Sequence, residues 1–232
     1  MFHRFPHTPH IAWLSDSPVR EDKVLETAEA ELFLTQYIFV EEKIDGANIG
    51  FSLDTQGNLQ VQQRGEYLRA PYSGQFKPLK TWLTVYGRDL QSILLDYPHL
   101  ILFGEWCAAK HSVAYTHLPN FFLLFDVYDS KYDSGQRFWS RKRRDELAAV
   151  LGLNTVPLVG QGQYNLEQLT SKLCNPSLYH AGPPEGLVLR QDSELWCRAR
   201  AKLVRPDFTQ SIESHWKTKP IVWNGIDFTT YN

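Results

Sequence analysis

Apolar and polar positions trade places with short, regular periods along much of this chain. In 48–53, Ile49, Phe51 and Leu53 alternate with small or polar residues, the period of a half-buried strand. The turn chemistry of DTQGN (54–58) follows, and then LQVQQ, where Leu59 and Val61 alternate again, so the two runs predict a hairpin. Residues 37–41 predict a strand just upstream. LILFGEW (100–106) and FFLLFDVYD (121–129) predict two more, an apolar strand leaves the Pro/Gly turn of GPPEGLVLR, and WCRARAKLV (196–204) predicts the last. Helical patterns cover ETAEAELFLTQ (26–36), RKRRDELAAVL (141–151) and 165–173. In 141–151, Ser140 is the N-cap and Leu147, Val150 and Leu151 share a face. Strands joined by turns outnumber helices, which predicts an α+β fold of mainly antiparallel sheets flanked by a few helices.

Composition narrows this little. The chain has 232 residues, 43% hydrophobic and 13% aromatic, which describes a folded soluble protein with one sizeable domain. No apolar run approaches a membrane span, and MFHRFPHTPHIAWL lacks the pattern of a secretion signal. Cys107, Cys174 and Cys197 are widely spaced and odd in number, so a reducing cytoplasm is the easy reading.

Charge says more through its distribution than its total of −2. Residues 1–136 hold 11 Lys/Arg against 17 Asp/Glu, and residues 137–219 hold 13 against 8. The basic later portion is either a polyanion surface or chance variation. Arg141, Lys142, Arg143 and Arg144 open a predicted helix, where the dipole disfavours cations. Their side chains either turn to solvent or await an anionic partner.

FVEEKIDGANIGFSL (39–53) carries the sharpest chemical signal. It sets Lys43 in a loop between two strands, with acids around it and Gly46 allowing close approach. Asp45 and Asn48 are short polar side chains able to hold a tight loop. A lysine there is ordinarily an exposed charge. A nucleophilic lysine must be neutral, and nearby cations or a metal ion lower its pKa.

EKIDGAN, FGEW, FFLLFDVYD, EGLVLR and RAKLVRPDF occur in the order and approximate spacing of the covalent nucleotidyltransferase superfamily, which includes ATP-dependent DNA and RNA ligases and mRNA capping enzymes. Lys-x-Asp-Gly alone is a weak match; five segments over 42–208 are a strong one. With Glu42-Lys43-Ile44-Asp45-Gly46-Ala47-Asn48, the chain most resembles RNA ligases of the second phage type and their bacterial relatives.

The resemblance implies a nucleotidyltransferase fold, ATP as cosubstrate and Mg2+ or Mn2+. Lys43 would attack the α-phosphate and carry AMP. AMP would then pass to an RNA 5′-phosphate, and a 3′-hydroxyl would seal the chain. Glu42 would lie at the adenosine and Asn48 near the reacting phosphates or the RNA end. Arg64 would hold the ribose or phosphate; its plain alternative is an exposed strand-end arginine. Glu105 would contact the ribose or a metal-bound water and, as an acid in an apolar strand, needs a partner. Phe125 would stack on adenine, while at least two of Phe121, Phe122 and Phe125 belong to the core. Asp126 would orient a neighbour or cap a turn. Glu185, with Glu105, would organise the metal through water. Lys202 would meet the α-phosphate and help depress the Lys43 pKa. The second basic residue of this last segment is either Arg200, which shares a strand face with Lys202, or Arg205, which precedes the Pro-Asp-Phe seen in bacterial relatives.

Only 30 residues follow Lys202, too few for the oligonucleotide-binding barrel of DNA ligases and capping enzymes. Residues 1–232 are therefore expected to form a single nucleotidyltransferase domain, with 137–144 as the surface that grips RNA. A DNA ligase-like or other nucleotidyltransferase, and a catalytically idle nucleotide- or RNA-binding module, are the rival readings. Intact Lys43, Glu105, Glu185 and Lys202 speak against idleness. A Schiff-base lysine is weaker still, for want of a cofactor phosphate loop.

Overall fold

The computed structural model describes residues 2–16, 24–132, 137–211 and 220–227. Among the described residues, ten strands form two sheets. The first orders β10 (Cys197–Val204), β9 (Gly186–Asp192), β1 (Ile38–Lys43) and β8 (Leu158–Gly162). The second orders β4 (Tyr67–Leu68), β3 (Leu59–Gln63), β2 (Ala47–Leu53), β5 (Leu100–Trp106), β6 (Phe122–Asp129) and β7 (Asn154–Thr155). Every pairing is antiparallel except β6 with β7.

Helices α1 (Thr27–Leu34) and α4 (Leu166–Lys172) back the first sheet, where Phe33 and Leu169 pack on Ile38, Val40, Leu187 and Leu189. Helices α2 (Leu79–Asp96) and α3 (Arg141–Leu151) back the second, and Trp82 stacks on Phe51 with ring centroids 5.3 Å apart. A short α5 spans Pro206–Ser211. Strand side chains alternate sides. Ile38 and Val40, Leu187 and Leu189, and Ala201 and Leu203 therefore face the helices, whereas Glu41 and Lys43, Val188 and Arg190, and Arg200 and Lys202 face a cleft.

The turn 44–46 carries the chain from one sheet to the other. Gly46 is required there, because a Cβ would stand 2.7 Å from the Trp106 carbonyl oxygen. Asp45 fixes the turn by accepting the N–H groups of Ser112 at 2.7 Å and Val113 at 2.8 Å. Lys43 itself is not in the loop expected from the sequence. It is the last residue of β1, opposite Gly186 of β9.

Three further differences have physical causes. The 18-residue α2 was not predicted, although Leu79, Trp82, Leu90 and Leu94 recur on one helical face. Val150 is exposed, because α3 buries Arg144, Ala148 and Leu151 instead. Of the basic cluster expected to face RNA, Arg144 is withdrawn into the core, Arg141 and Arg143 are half-buried, and Lys142 is exposed. Arg144 is 0% exposed, and its guanidinium donates to Glu41 at 2.7 Å, to Asp145 and to the Phe125 carbonyl. Arg141 pairs with Asp145 at 2.9 Å, and Arg143 lies over Trp139, 3.9 Å from its ring centroid. The dipole conflict is relieved by Asp192, whose carboxylate accepts the Arg141 amide at 2.6 Å.

Candidate active site

The cleft between the sheets has a volume of about 770 Å³, within the usual range of small-molecule sites. Lys43 enters it from the end of β1. Its Nζ donates to Glu185 Oε2 at 2.7 Å and lies 2.7 Å from Oε1. The Lys43 side chain is 27% exposed and that of Glu185 is 8% exposed. Glu105 reaches the same space from β5, beside Asn48 on β2, its cross-strand partner. Lys202 and Arg200 reach it from β10.

Burial pushes both acids up, Glu105 to about 8 and Glu185 to about 7, while the Lys43 ammonium pulls each the other way. Burial acts to lower the Lys43 pKa as well. The carboxylates of Glu185, Glu105 and Asp45 outweigh it, and the net direction is upward. Lys202 alone therefore does not depress this pKa. Around the Lys43 ammonium itself the acids Glu185, Glu105 and Asp45 gather.

A divalent cation beside Glu105 and Glu185 would favour the ionised form of both acids. Asn48 Oδ1 is also buried and accepts no hydrogen bond. Among the described residues no three His, Cys, Asp or Glu side chains cluster into a cage. This fits an ion that takes one or two carboxylates and keeps its waters.

Phe125 owes its place to a β-bulge. Phe103 pairs with Asp126 and Gly104 with Leu124, which leaves Phe125 as the extra residue. Phe125 and Asp126 both reach the cleft as a result. Phe122 lies in the core and Phe121 packs against it, as the sequence suggested for two of the three. Asp126 orients basic neighbours, receiving Arg190 at 2.6 Å and pairing with Arg200.

This constellation meets a family profile. The sequence model of the RNA ligase family matches residues 36–204. The chain belongs to the RNA ligase family. No curated protein matches it. Solved structures of Naegleria gruberi RNA ligase resemble this family member in fold. A lysine mutant with ATP and Mn is 21% identical with a TM-score of 0.60, covering 79% of this chain and 54% of that one. An arginine mutant with ATP and Mn is 18% identical with a TM-score of 0.62, covering 91% and 58%. A complex with PPi is 20% identical with a TM-score of 0.57, covering 81% and 55%. This RNA ligase family chain therefore spans just over half the length of the Naegleria chains it matches.

Within the family member, the cleft gathers Lys43, Glu42, Asn48, Glu105, Phe125, Arg200, Lys202 and, at its edge, Arg64; Glu185 joins through its contact with Lys43. The Glu42 carboxylate is engaged on its own wall, accepting Ser177 Oγ at 2.5 Å and the Leu178 amide at 3.2 Å. Arg205 does not line the cleft. It pairs with Asp207 and donates to the Pro183 carbonyl at 3.2 Å. Of the two basic candidates, then, Arg200 faces the site with Lys202. The sequence reading missed two other contributors. One is the N-terminal segment Phe5–Thr8. The other is the pair of His111 and Gln75, 2.6 Å apart. Both come from segments without regular periodicity.

Proposed function

We propose that this chain is an ATP-dependent RNA ligase working through a covalent lysine adenylate, with its two sheets acting as one nucleotidyltransferase unit. The observation that carries the reading is the Lys43 amine at the sheet junction, 2.7 Å from Glu185 and sharing a cleft with Glu105 and Lys202. After losing its proton to water, the Lys43 amine attacks the α-phosphorus of ATP. An N–P bond forms, the bond to the bridging oxygen breaks, and pyrophosphate leaves. Lys202 and Arg200 meet the charge that builds on the phosphates. Phe125 offers an aromatic face to the base. Asn48, with its buried oxygen unmatched, faces the reacting groups. Glu105 and Glu185 would hold Mg2+ or Mn2+, mainly through water, and the ion would neutralise both the phosphates and the carboxylates that keep Lys43 protonated.

The same site would then pass AMP to an RNA 5′-phosphate, and a 3′-hydroxyl would displace it. The buried Cys107 and Cys197 suit a reducing, cytoplasmic setting. No helix among the described residues is long and apolar enough to cross a membrane. The test is incubation with α-labelled ATP and magnesium, followed by RNA bearing a 5′-phosphate and a 3′-hydroxyl. Label on the wild-type protein, absent from Lys43→Ala and chased into sealed RNA, is expected. Labelling by GTP alone points to capping chemistry, and no label at all overturns the proposal in favour of a binding module.

A further inference from the structure

We propose that Asn224 and Tyr115 are positioning residues for lysine adenylylation, joining the C-terminal segment 220–227 to the turn that aims the Lys43 amine. The proposal rests on the ligase reading and goes beyond it, since the segment lies outside the residues 36–204 that carry the family match. Residues 107–121 link β5 to β6 without a helix or strand of their own, apart from single bridges. The segment holds this linker in place. Lys110 donates its amide to the Val222 carbonyl at 2.8 Å and Leu118 to that of Gly225 at 3.1 Å. In return, the Asn224 amide donates to the Ala108 carbonyl at 2.9 Å and the Gly225 amide to that of Tyr115 at 2.9 Å. Gly225 permits the approach, because a Cβ there would stand 3.0 Å from the Thr116 carbonyl oxygen.

Burial of apolar surface is not what attaches the segment. Ile221, Val222 and Trp223 are 43%, 58% and 46% exposed, and Asn224 is the one buried residue of 220–227. Its side chain is engaged with the linker: Oδ1 accepts the Tyr115 amide at 3.0 Å and Nδ2 donates to the Cys107 carbonyl at 2.9 Å. From the buried Tyr115 the network reaches the turn. The Tyr115 hydroxyl accepts the Asp45 amide at 2.8 Å, and the Asp45 carboxylate accepts the amides of Ser112 and Val113 on the same linker. Asp45 lies two residues beyond Lys43, and Cys107 lies two beyond Glu105. Asn224 thus braces, from one point, the chain that leaves each of these two site residues. A tail serving stability alone would turn its apolar side chains into the core. This one leaves them at the surface and directs its inward side chain to the linker that fixes the turn after the candidate nucleophile.

The test compares Asn224→Ala, Tyr115→Phe and the double variant, at a temperature where circular dichroism shows each one folded. Single-turnover labelling of Lys43 at saturating α-labelled ATP and magnesium reads the aim of the amine. ATP affinity is measured by calorimetry with magnesium in a Lys43→Ala background, which blocks turnover. Each single variant is expected to slow labelling by about tenfold or more, as for a small misplacement of a reacting atom. Affinity should stay within about twofold, because Phe125, Arg200 and Lys202 stand on β6 and β10 rather than on the linker. The double variant should fall within about twofold of the slower single one, since both residues act along one path. Unchanged rates, affinity that falls in step with rate, or losses that multiply would overturn the proposal. Should Asn224→Ala not fold, Tyr115→Phe, which keeps every bond of the segment, decides by the same rate and affinity criteria. A wild-type protein that binds ATP yet is never labelled sinks the ligase reading and the proposal with it. A labelled wild type with equally fast variants sinks the proposal alone.

Discussion

Lys43 Nζ and the Glu185 carboxylate are held 2.7 Å apart because β1 and β9 pair with Lys43 opposite Gly186, one residue beyond Glu185. The candidate nucleophile is therefore stored as an ammonium against the same carboxylate expected to organise the metal. Glu185→Gln keeps the shape and removes the charge. It should lower lysine labelling by about a hundredfold and raise the divalent-ion concentration needed for half-maximal labelling, as read from a magnesium titration of α-labelled ATP transfer.

Stability should depend on pH through the same acids. Glu105 is pushed up to about 8 and Glu185 to about 7, from an ordinary value of 4.5. Between these limits the folded state holds protons that the unfolded chain has released. Metal-free protein should thus lose stability, on the order of 1–3 kcal/mol, as pH rises from about 5 to 8. The raised Lys43 pKa acts only above its ordinary 10.5, outside this window. Denaturant midpoints measured across the range should fall for the wild type and flatten for Glu105→Gln; parallel curves would refute the assignment.

Arg144 should behave as a structural residue. Its removal leaves Glu41, 1% exposed, buried without its principal partner. Arg144→Ala should cost about 3–5 kcal/mol, whereas the exposed Lys142→Ala should be neutral. Equilibrium unfolding of the two variants compares them directly.

The two arginines near the end of the described sheet should separate. Arg200→Ala removes a cleft cation and should slow lysine labelling by at least about tenfold. Arg205→Ala breaks an exposed pair with Asp207 and should cost no more than about threefold. Single-turnover labelling of both variants provides the comparison.

Much of this was legible in the residues because period-two alternation fixes which side chains share a face. Arg200 and Lys202 on one side and Ala201 and Leu203 on the other follow from counting alone. The strand runs around 48–63 and 186–204 appear where the alternation placed them. The α2 pattern was equally present in Leu79, Trp82, Leu90 and Leu94, and went unread. Other features had no local signal. The burial of Arg144 depends on Glu41, 103 residues away. The bulge that turns Phe125 into the cleft depends on the register of β5 against β6. The segment Phe5–Thr8 reaches the site through pairing of Pro9–Ile11 with β10 and the packing of Phe5 on Phe103 and Phe125, and nothing in its own composition announces that. Sequence order shows Lys202 near Lys43 but hides how closely Glu185 and Glu105 approach it, which raises its pKa when no metal is bound.

The most direct test is peptide mass spectrometry of the purified chain after exposure to ATP and magnesium. The account predicts a single AMP adduct, joined by a phosphoramide bond to the Lys43 side chain and absent from Lys43→Ala. An intact protein that binds ATP yet carries no nucleotide, or carries it on another residue, would contradict it.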